Sequence, residues 1–185
     1  MSETGKLVIV SAPSGTGKTV VTEKLIRESN SVIRSVSVTT RLPRSGEIDG
    51  VDYFFVTPAA FKKMVKENAL LEWANVHGNL YGTPKQFLET EQKKGNDVIL
   101  VIDVQGAKQI RETGYPAVFI FLKPPSMEEL KRRLKKRGTE DEAELARRLV
   151  RAEEELKHAD EYDYIVVNDD LDKTVDTLKK ILQEV

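Results

Sequence analysis

The sequence predicts an α/β fold: a mostly parallel sheet flanked by helices, with a small β-rich lobe inserted into it and a helical segment alongside. Two observations carry this. Nearly continuous apolar, β-branched runs alternate with helical patterns, as happens when helices cover both faces of a sheet. Between residues 35 and 88 that rhythm breaks into several short strands separated by turn residues. A length of 185 residues holds about one domain, with one core and a small insertion.

The elements follow in order. A buried strand over 6–12 (KLVIVSA) leads through a Gly-rich turn into a helical pattern, VVTEKLIRES. SVSVTT and YFFVT then read as short strands on either side of the turn-rich RLPRSGEIDGVD. LLEWANVHG reads as a further strand, and TPKQFLETEQKK as a helix capped by Thr83. Buried strands return at 97–103 (DVILVID), 117–122 (AVFIFL) and 164–167 (YIVV). Ser126 and Glu129 have capping-box spacing before MEELKRRLKKR, which Gly138 ends. Thr139 and Glu142 repeat the device before a charged helix reaching about residue 159. The last helix, over 171–185, sets Val175, Leu178 and Leu182 on one side. The expected division is a core of 1–36, 89–125 and 160–185, an inserted lobe of 37–88, and a helical segment of 126–159.

Composition removes several function classes. Lys and Arg number 29 against 30 Asp and Glu, so a net charge of −1 argues against bulk binding of nucleic acid or anionic membrane. With no cysteine there is no disulfide, thiol nucleophile or zinc-thiolate site. Two histidines, His77 and His158, are too few for a His-built metal site or a Ser-His-Asp triad beside another function. No apolar run approaches the ~20 residues of a membrane span, and MSETGKLVIV lacks a signal-peptide pattern, so a cytoplasmic protein is expected.

The chemistry begins at 12–19, APSGTGKT, placed between strand and helix as a phosphate-binding P-loop requires. Ala12, Pro13, Ser14, Gly15, Thr16 and Gly17 would form the cradle, its glycines letting backbone N–H groups curl around phosphate oxygens. Lys18 would reach the β- and γ-phosphates, and the Thr19 hydroxyl would ligate Mg²⁺. Ala12 occupies the first position of the usual G-x-x-x-x-G-K-S/T pattern, which L-residue backbone angles allow. In the inserted lobe, Arg41 and Arg44 flank Pro43, and two guanidinium groups at this spacing can fork onto one phosphate. An isolated pair of this kind reads as surface charge; beside a P-loop it reads as a second phosphate site. Tyr53 and Tyr81, next to turns, would add phenolic donors.

These segments, with SVSVTTRLPRSGEIDGVDYFF, LLEWANVHGNLYGT, VILVIDVQG, RRLKKRGTEDEAELARRLVRAEEEL and DYIVVNDD in that order, resemble the guanylate kinase family over essentially the whole chain. The resemblance implies transfer of a phosphoryl group from ATP to GMP with Mg²⁺, a P-loop core, a GMP-binding lobe and a mobile lid. It implies that the GMP phosphate meets Arg41, Arg44, Tyr53 and Tyr81, and that guanine meets Ser37, Glu72, Thr83 and Asp103. Guanine chemistry agrees: N1–H and the exocyclic amine are two donors that one carboxylate, Glu72, can accept, and O6 suits the Thr83 hydroxyl. Thr83 is also the first residue of a capping-box pattern, and Glu72 lies between Leu71 and Trp73 in a strand pattern.

Asp103 ends a strand where P-loop proteins often hold a carboxylate near Mg²⁺; the base, a metal-bound water, or both are open to it. The family often has an acid two positions earlier, where this chain has Val101. The resemblance singles out Arg133, Arg137 and Arg148 in the charged helices, and sets Asn168 and Asp169 near the adenine. Lys18, Arg41, Arg137 and Arg148 are the expected catalytic cations. No general base is required, because the acceptor phosphate is already anionic. A catalytically dead phosphopeptide-binding module and a kinase for another nucleoside monophosphate are the alternatives. Intact Gly15, Gly17, Lys18 and Thr19 disfavour the first, and Glu72 with Thr83 the second. The expected partners are ATP and GMP, with no nucleic acid or membrane; monomer and homodimer are both open.

Overall fold

The computed structural model describes residues 4–76, 78–136 and 142–185. Its strands are Leu7–Ser11 (β1), Val32–Arg34 (β2), Val38–Thr39 (β3), Phe54–Phe55 (β4), Leu70–Val76 (β5), Asn79–Pro84 (β6), Asp97–Val101 (β7), Val118–Lys123 (β8) and Tyr164–Val167 (β9). Its helices are Lys18–Arg27 (α1), Pro58–Lys66 (α2), Lys85–Lys93 (α3), Val104–Thr113 (α4), Met127–Lys136 (α5), Glu142–Leu156 (α6) and Leu171–Glu184 (α7).

Five parallel strands form the main sheet in the order β2-β7-β1-β8-β9. Every residue of β1 is buried, and its alternation divides the core into two layers. Val8 and Val10 face Val21 and Leu25 of α1 and Val175, Leu178 and Leu182 of α7. Leu7 and Ile9 face Leu88 of α3, Ala107 and Ile110 of α4, and Phe121. The continuous apolar runs of the sequence are thus covered on both sides.

The second sheet has the order β4-β3-β6-β5 and mixes parallel and antiparallel pairs. It is not built of strands alone. Helix α2 supplies Phe61 to its core beside Val38 and Leu70. Its start was legible: Thr57 accepts a hydrogen bond from Ala60 N at 3.2 Å, and Pro58 fills the first helical position.

Several boundaries differ from the sequence expectation. The strand expected over 97–103 ends at Val101, and Asp103 instead caps α4, its Oδ1 accepting from Gly106 N at 2.9 Å. Helix α3 begins at Lys85 with no side-chain cap, because the Thr83 hydroxyl points elsewhere. Ser126 does cap α5, accepting from Glu129 N at 3.1 Å. The reciprocal half of the box is lost because the Glu129 carboxylate pairs with Arg132 and Arg133, each at 2.7 Å. Helix α6 ends at Leu156, with a separate 3-10 turn at Ala159–Glu161. His77, Arg137, Gly138 and Thr139 lie outside the described residues. Among the described residues, no helix is long and apolar enough to cross a membrane.

Candidate active site

The chain leaves β1 at Ser11 and enters α1 at Lys18, so residues 12–17 form the turn between them. Gly15 and Gly17 take φ of 89° and 103°, backbone that an L side chain rarely adopts. Ala12 has no positive φ and is buried, so a methyl group is tolerated where the motif usually has glycine. Gly17 precedes α1 without a side-chain cap, leaving the first N–H groups of the helix for an anion.

The loop is gripped from two sides. A Cβ on Gly15 would lie 2.7 Å from Leu134 of α5, and one on Gly17 would lie 2.7 Å from Asn168 Nδ2. The Thr16 carbonyl accepts from Asn168 Nδ2 at 2.7 Å and from Arg133 Nη1 at 3.2 Å. Arg133 Nη1 also reaches Asn168 O at 3.0 Å, and its Nε pairs with Glu129. Asn168 Oδ1 accepts from the Thr174 hydroxyl. The Asn168 side chain therefore holds the loop in place. Gly15, Gly17, Val20, Arg133, Asn168 and Asp169 line a cavity of about 480 Å³.

Lys18 Nζ donates to the Ala12 carbonyl, across the mouth of the loop. Burial pushes its pKa down, opposed by the carboxylates Glu155 and Asp103 and reinforced by Arg151. Glu155 of α6 was missed by the sequence reading, since it sits inside an acidic run that reads as a solvated face. Burial pushes its carboxyl up, with Lys18 the largest opposing influence. The same helix sends Arg148 Nη2 to Ser14 Oγ at 2.8 Å. Thr19 is exposed at the start of α1.

A second cavity, of about 220 Å³, lies between the small sheet and the C-terminal end of β7. Ser37, Tyr53, Glu72, Tyr81 and Asp103 all line it; Arg41, Arg44 and Thr83 do not. Glu72 is only 9% exposed. It accepts from the Thr83 hydroxyl at 2.6 Å. Burial pushes its carboxyl above the usual carboxylate range, the Thr83 bond pulls it back, and the negative charge of Asp103 adds to the rise. Gly106 lies beside it, where a Cβ would stand 3.6 Å from Glu72 Oε2, an ordinary contact. Ser35, also unnamed by the sequence reading, lines the cavity with a buried hydroxyl that has no protein partner among the described residues.

Arg41 adjoins this cavity through Tyr81, whose hydroxyl accepts from Arg41 Nε at 3.2 Å, and its guanidinium lies over the Tyr53 ring at 5.4 Å. The fork expected to meet a phosphate is bidentate to Glu47, at 3.0 and 2.8 Å. Arg44 is exposed on the same loop.

A parallel sheet whose central strand runs into a glycine-turned anion cradle, facing a separate polar pocket on an inserted lobe, defines the class: a P-loop phosphotransferase. A shikimate kinase from Bacteroides thetaiotaomicron shares the fold, with TM-score 0.52 at 13% identity over 96% of this chain and 98% of that one. The narrower assignment comes from sequence. The guanylate kinase family model matches residues 4–185, and the chain belongs to that family. It is 48% identical to the guanylate kinase of Caldanaerobacter subterraneus over 96% of this chain and 86% of the relative. The corresponding figures for that of Desulfitobacterium hafniense are 48%, 96% and 89%. The crystal structure of guanylate kinase from Anaplasma phagocytophilum superposes with TM-score 0.73 at 38% identity, covering 98% of this chain and 86% of that one.

Proposed function

We propose that ATP occupies the P-loop and GMP the pocket beneath Glu72, and that their phosphates meet between Lys18 and the Arg41–Arg44 loop. The chain is an ATP:GMP phosphotransferase by its family. One observation carries it above the others: a buried carboxylate, Glu72, lines a pocket that also holds Tyr53 and Tyr81, so one ligand can meet a hydrogen-bond acceptor at one end and phosphate-binding donors at the other.

On this reading the α1 N-terminus and Lys18 bind the donor phosphates, and Arg133 and Arg148 close over them from α5 and α6. Arg137 belongs with these two by its motif. Arg41, Arg44, Tyr53 and Tyr81 hold the acceptor phosphate, while Glu72 accepts from guanine N1–H and the exocyclic amine. Asn168 and Asp169 flank the adenine. Residues 37–88 and 126–159 then act as an acceptor lobe and a lid that converge on a core when both nucleotides bind, excluding water and bringing cations around the transferring group. The acceptor oxygen is already anionic, so positioning and charge neutralisation perform the step without a general base.

The donor set fits Mg²⁺. The Thr19 hydroxyl makes no hydrogen bond among the described residues, and Asp103 keeps one carboxylate oxygen beyond the one bonded to Gly106. No group of three or more His, Cys, Asp or Glu among the described residues could hold a metal by itself. That suits an ion that keeps several waters and is shared with phosphates. When bound, Mg²⁺ neutralises charge on the donor phosphates. Thr19 would hold it, and Asp103 is placed to assist through a water, to meet the base, or both. A cytoplasmic protein, as monomer or homodimer, accords with this reading.

ADP release measured in parallel with GMP, AMP, CMP and UMP tests it. GMP should be turned over at least roughly 100-fold faster than the others, the discrimination expected when buried polar groups read a base edge. Equal rates with AMP would remove Glu72 as the base reader.

A further inference from the structure

The Arg41 guanidinium has five N–H groups, and the structure accounts for four of them. Nε donates to Tyr81 at 3.2 Å, Nη1 to the Leu42 carbonyl at 2.7 Å and to Glu47 Oε2 at 3.0 Å, and Nη2 to Glu47 Oε1 at 2.8 Å. Glu47 thus takes the end-on fork. The remaining Nη2 proton lies on the edge shared with Nε, beside Tyr81. Because the Tyr81 hydroxyl accepts from Arg41, its own proton points onward as a donor. Both side chains of the ion pair are well covered, 14% exposed for Arg41 and 19% for Glu47. The Tyr53 and Phe55 rings lie against the guanidinium at 5.4 and 5.8 Å.

The same carboxylate fixes the second arginine. Glu47 Oε2 accepts from the backbone N–H of Arg44 at 2.7 Å, and Glu47 N donates back to the Arg44 carbonyl at 3.1 Å. One side chain therefore sets the guanidinium of Arg41 and the backbone of Arg44 together. Its charge cancels that of Arg41, which leaves residues 41–47 with the one positive charge of Arg44.

We propose that Glu47 is a positioning residue for recognition of the acceptor phosphate: it locks Arg41 against Tyr81 and fixes Arg44, so that a phosphate meets a preformed edge of one Arg41 N–H and the Tyr81 hydroxyl, with the charge of Arg44 facing it. This rests on the reading of Arg41, Arg44 and Tyr81 as the GMP phosphate site. Glu47 touches no substrate; it acts through the two arginines.

The test compares binding of GMP and guanosine, which differ only in the phosphate, to the wild type, to Glu47→Gln, to Arg41→Met and to the double variant. Glu47→Gln should weaken GMP roughly 10- to 100-fold, the effect of losing a bidentate charge-assisted pair, with guanosine unchanged. Unchanged guanosine binding also reports that the variant is folded. In the Arg41→Met background, the further loss on adding Glu47→Gln should shrink at least about threefold, since part of what Glu47 positions is gone. A Glu47→Gln variant that binds GMP as well as or better than the wild type would show that Glu47 competes with phosphate, and would overturn the proposal alone. A wild type that binds GMP no better than guanosine would overturn the phosphate-site reading and Glu47's role with it.

Discussion

The Thr83 hydroxyl donates to Glu72 Oε1 at 2.6 Å, and this bond decides what each residue can offer a base. It consumes the proton that the sequence reading assigned to guanine O6. Thr83 is left with lone pairs, and Glu72 with Oε2 free of that bond beside the side-chain-free Gly106. The pair therefore presents acceptors, suited to guanine N1–H and the exocyclic amine. On the proposed binding mode O6 would need another partner, and the Ser35 hydroxyl, buried without a protein partner among the described residues, is suitably polar.

Glu72 should cost stability while it serves recognition. Burial raises its carboxyl pKa, so any stability it contributes is present below the ordinary carboxylate value and is lost as pH rises through the raised one. Glu72→Gln should therefore melt higher than the wild type at pH 7, by about 1 kcal/mol or roughly 2–4 °C, and the gap should narrow at pH 4. Thermal melts at the two pH values check this; a variant melting lower at pH 7 would contradict it. By the same sign, GMP affinity should begin to fall on acidification before an ordinary carboxylate would protonate.

Asn168→Ala should loosen the cradle from behind. It removes the shorter of two donors to the Thr16 carbonyl and one of the acceptors of the Thr174 hydroxyl, both in a buried setting. The expected loss is about 2 kcal/mol of stability by denaturant titration, with a higher KM for ATP and little change in KM for GMP. An unchanged KM for ATP would contradict the role of this contact in the loop.

Lys18→Met should remove most turnover and leave the fold intact, since charge on the transferring phosphoryl group would go unneutralised. A folded variant keeping more than about a tenth of wild-type kcat would argue against the role, because ~1.4 kcal/mol is too little for it.

Closure can be measured directly because the chain has no native cysteine. Single cysteines at Lys62 on α2 and Glu153 on α6, spin-labelled, should approach each other with GMP plus a non-hydrolysable ATP analogue. Identical distances with and without both ligands would contradict convergence.

The fold was legible wherever one residue determined its local structure. The apolar run at β1 and the glycines at 15 and 17 left the chain few choices, and Ser126 capped its helix as its spacing implied. What escaped was settled by partners distant in sequence. Thr83 looked like a helix cap until Glu72, eleven positions away, offered it a buried carboxylate. Asp103 is an exception: its cap partner, Gly106 N, is only three residues on, and the apolar run before it outweighed that local signal. Glu155 sits in a charged helix that reads as a solvated face, and only tertiary structure sets it near Lys18; Glu47 went unread although it lies six residues from Arg41. The missed helix α2 is different: its Thr57-Pro58 start was present and was outweighed by the strands around it.

The most direct test of the central claim, that base and phosphate of the acceptor are read by separate groups, is the ratio of GMP to AMP kcat/KM in Glu72→Gln and Arg44→Met. Glu72→Gln loses a charge-assisted acceptor and turns an NH₂ group toward a guanine donor. That ratio should fall by roughly 2–4 kcal/mol, about 30- to 1,000-fold. Arg44→Met should impair both nucleotides alike and leave the ratio within about threefold of wild type, since each carries the same phosphate. A ratio unchanged in Glu72→Gln and altered in Arg44→Met would contradict the account.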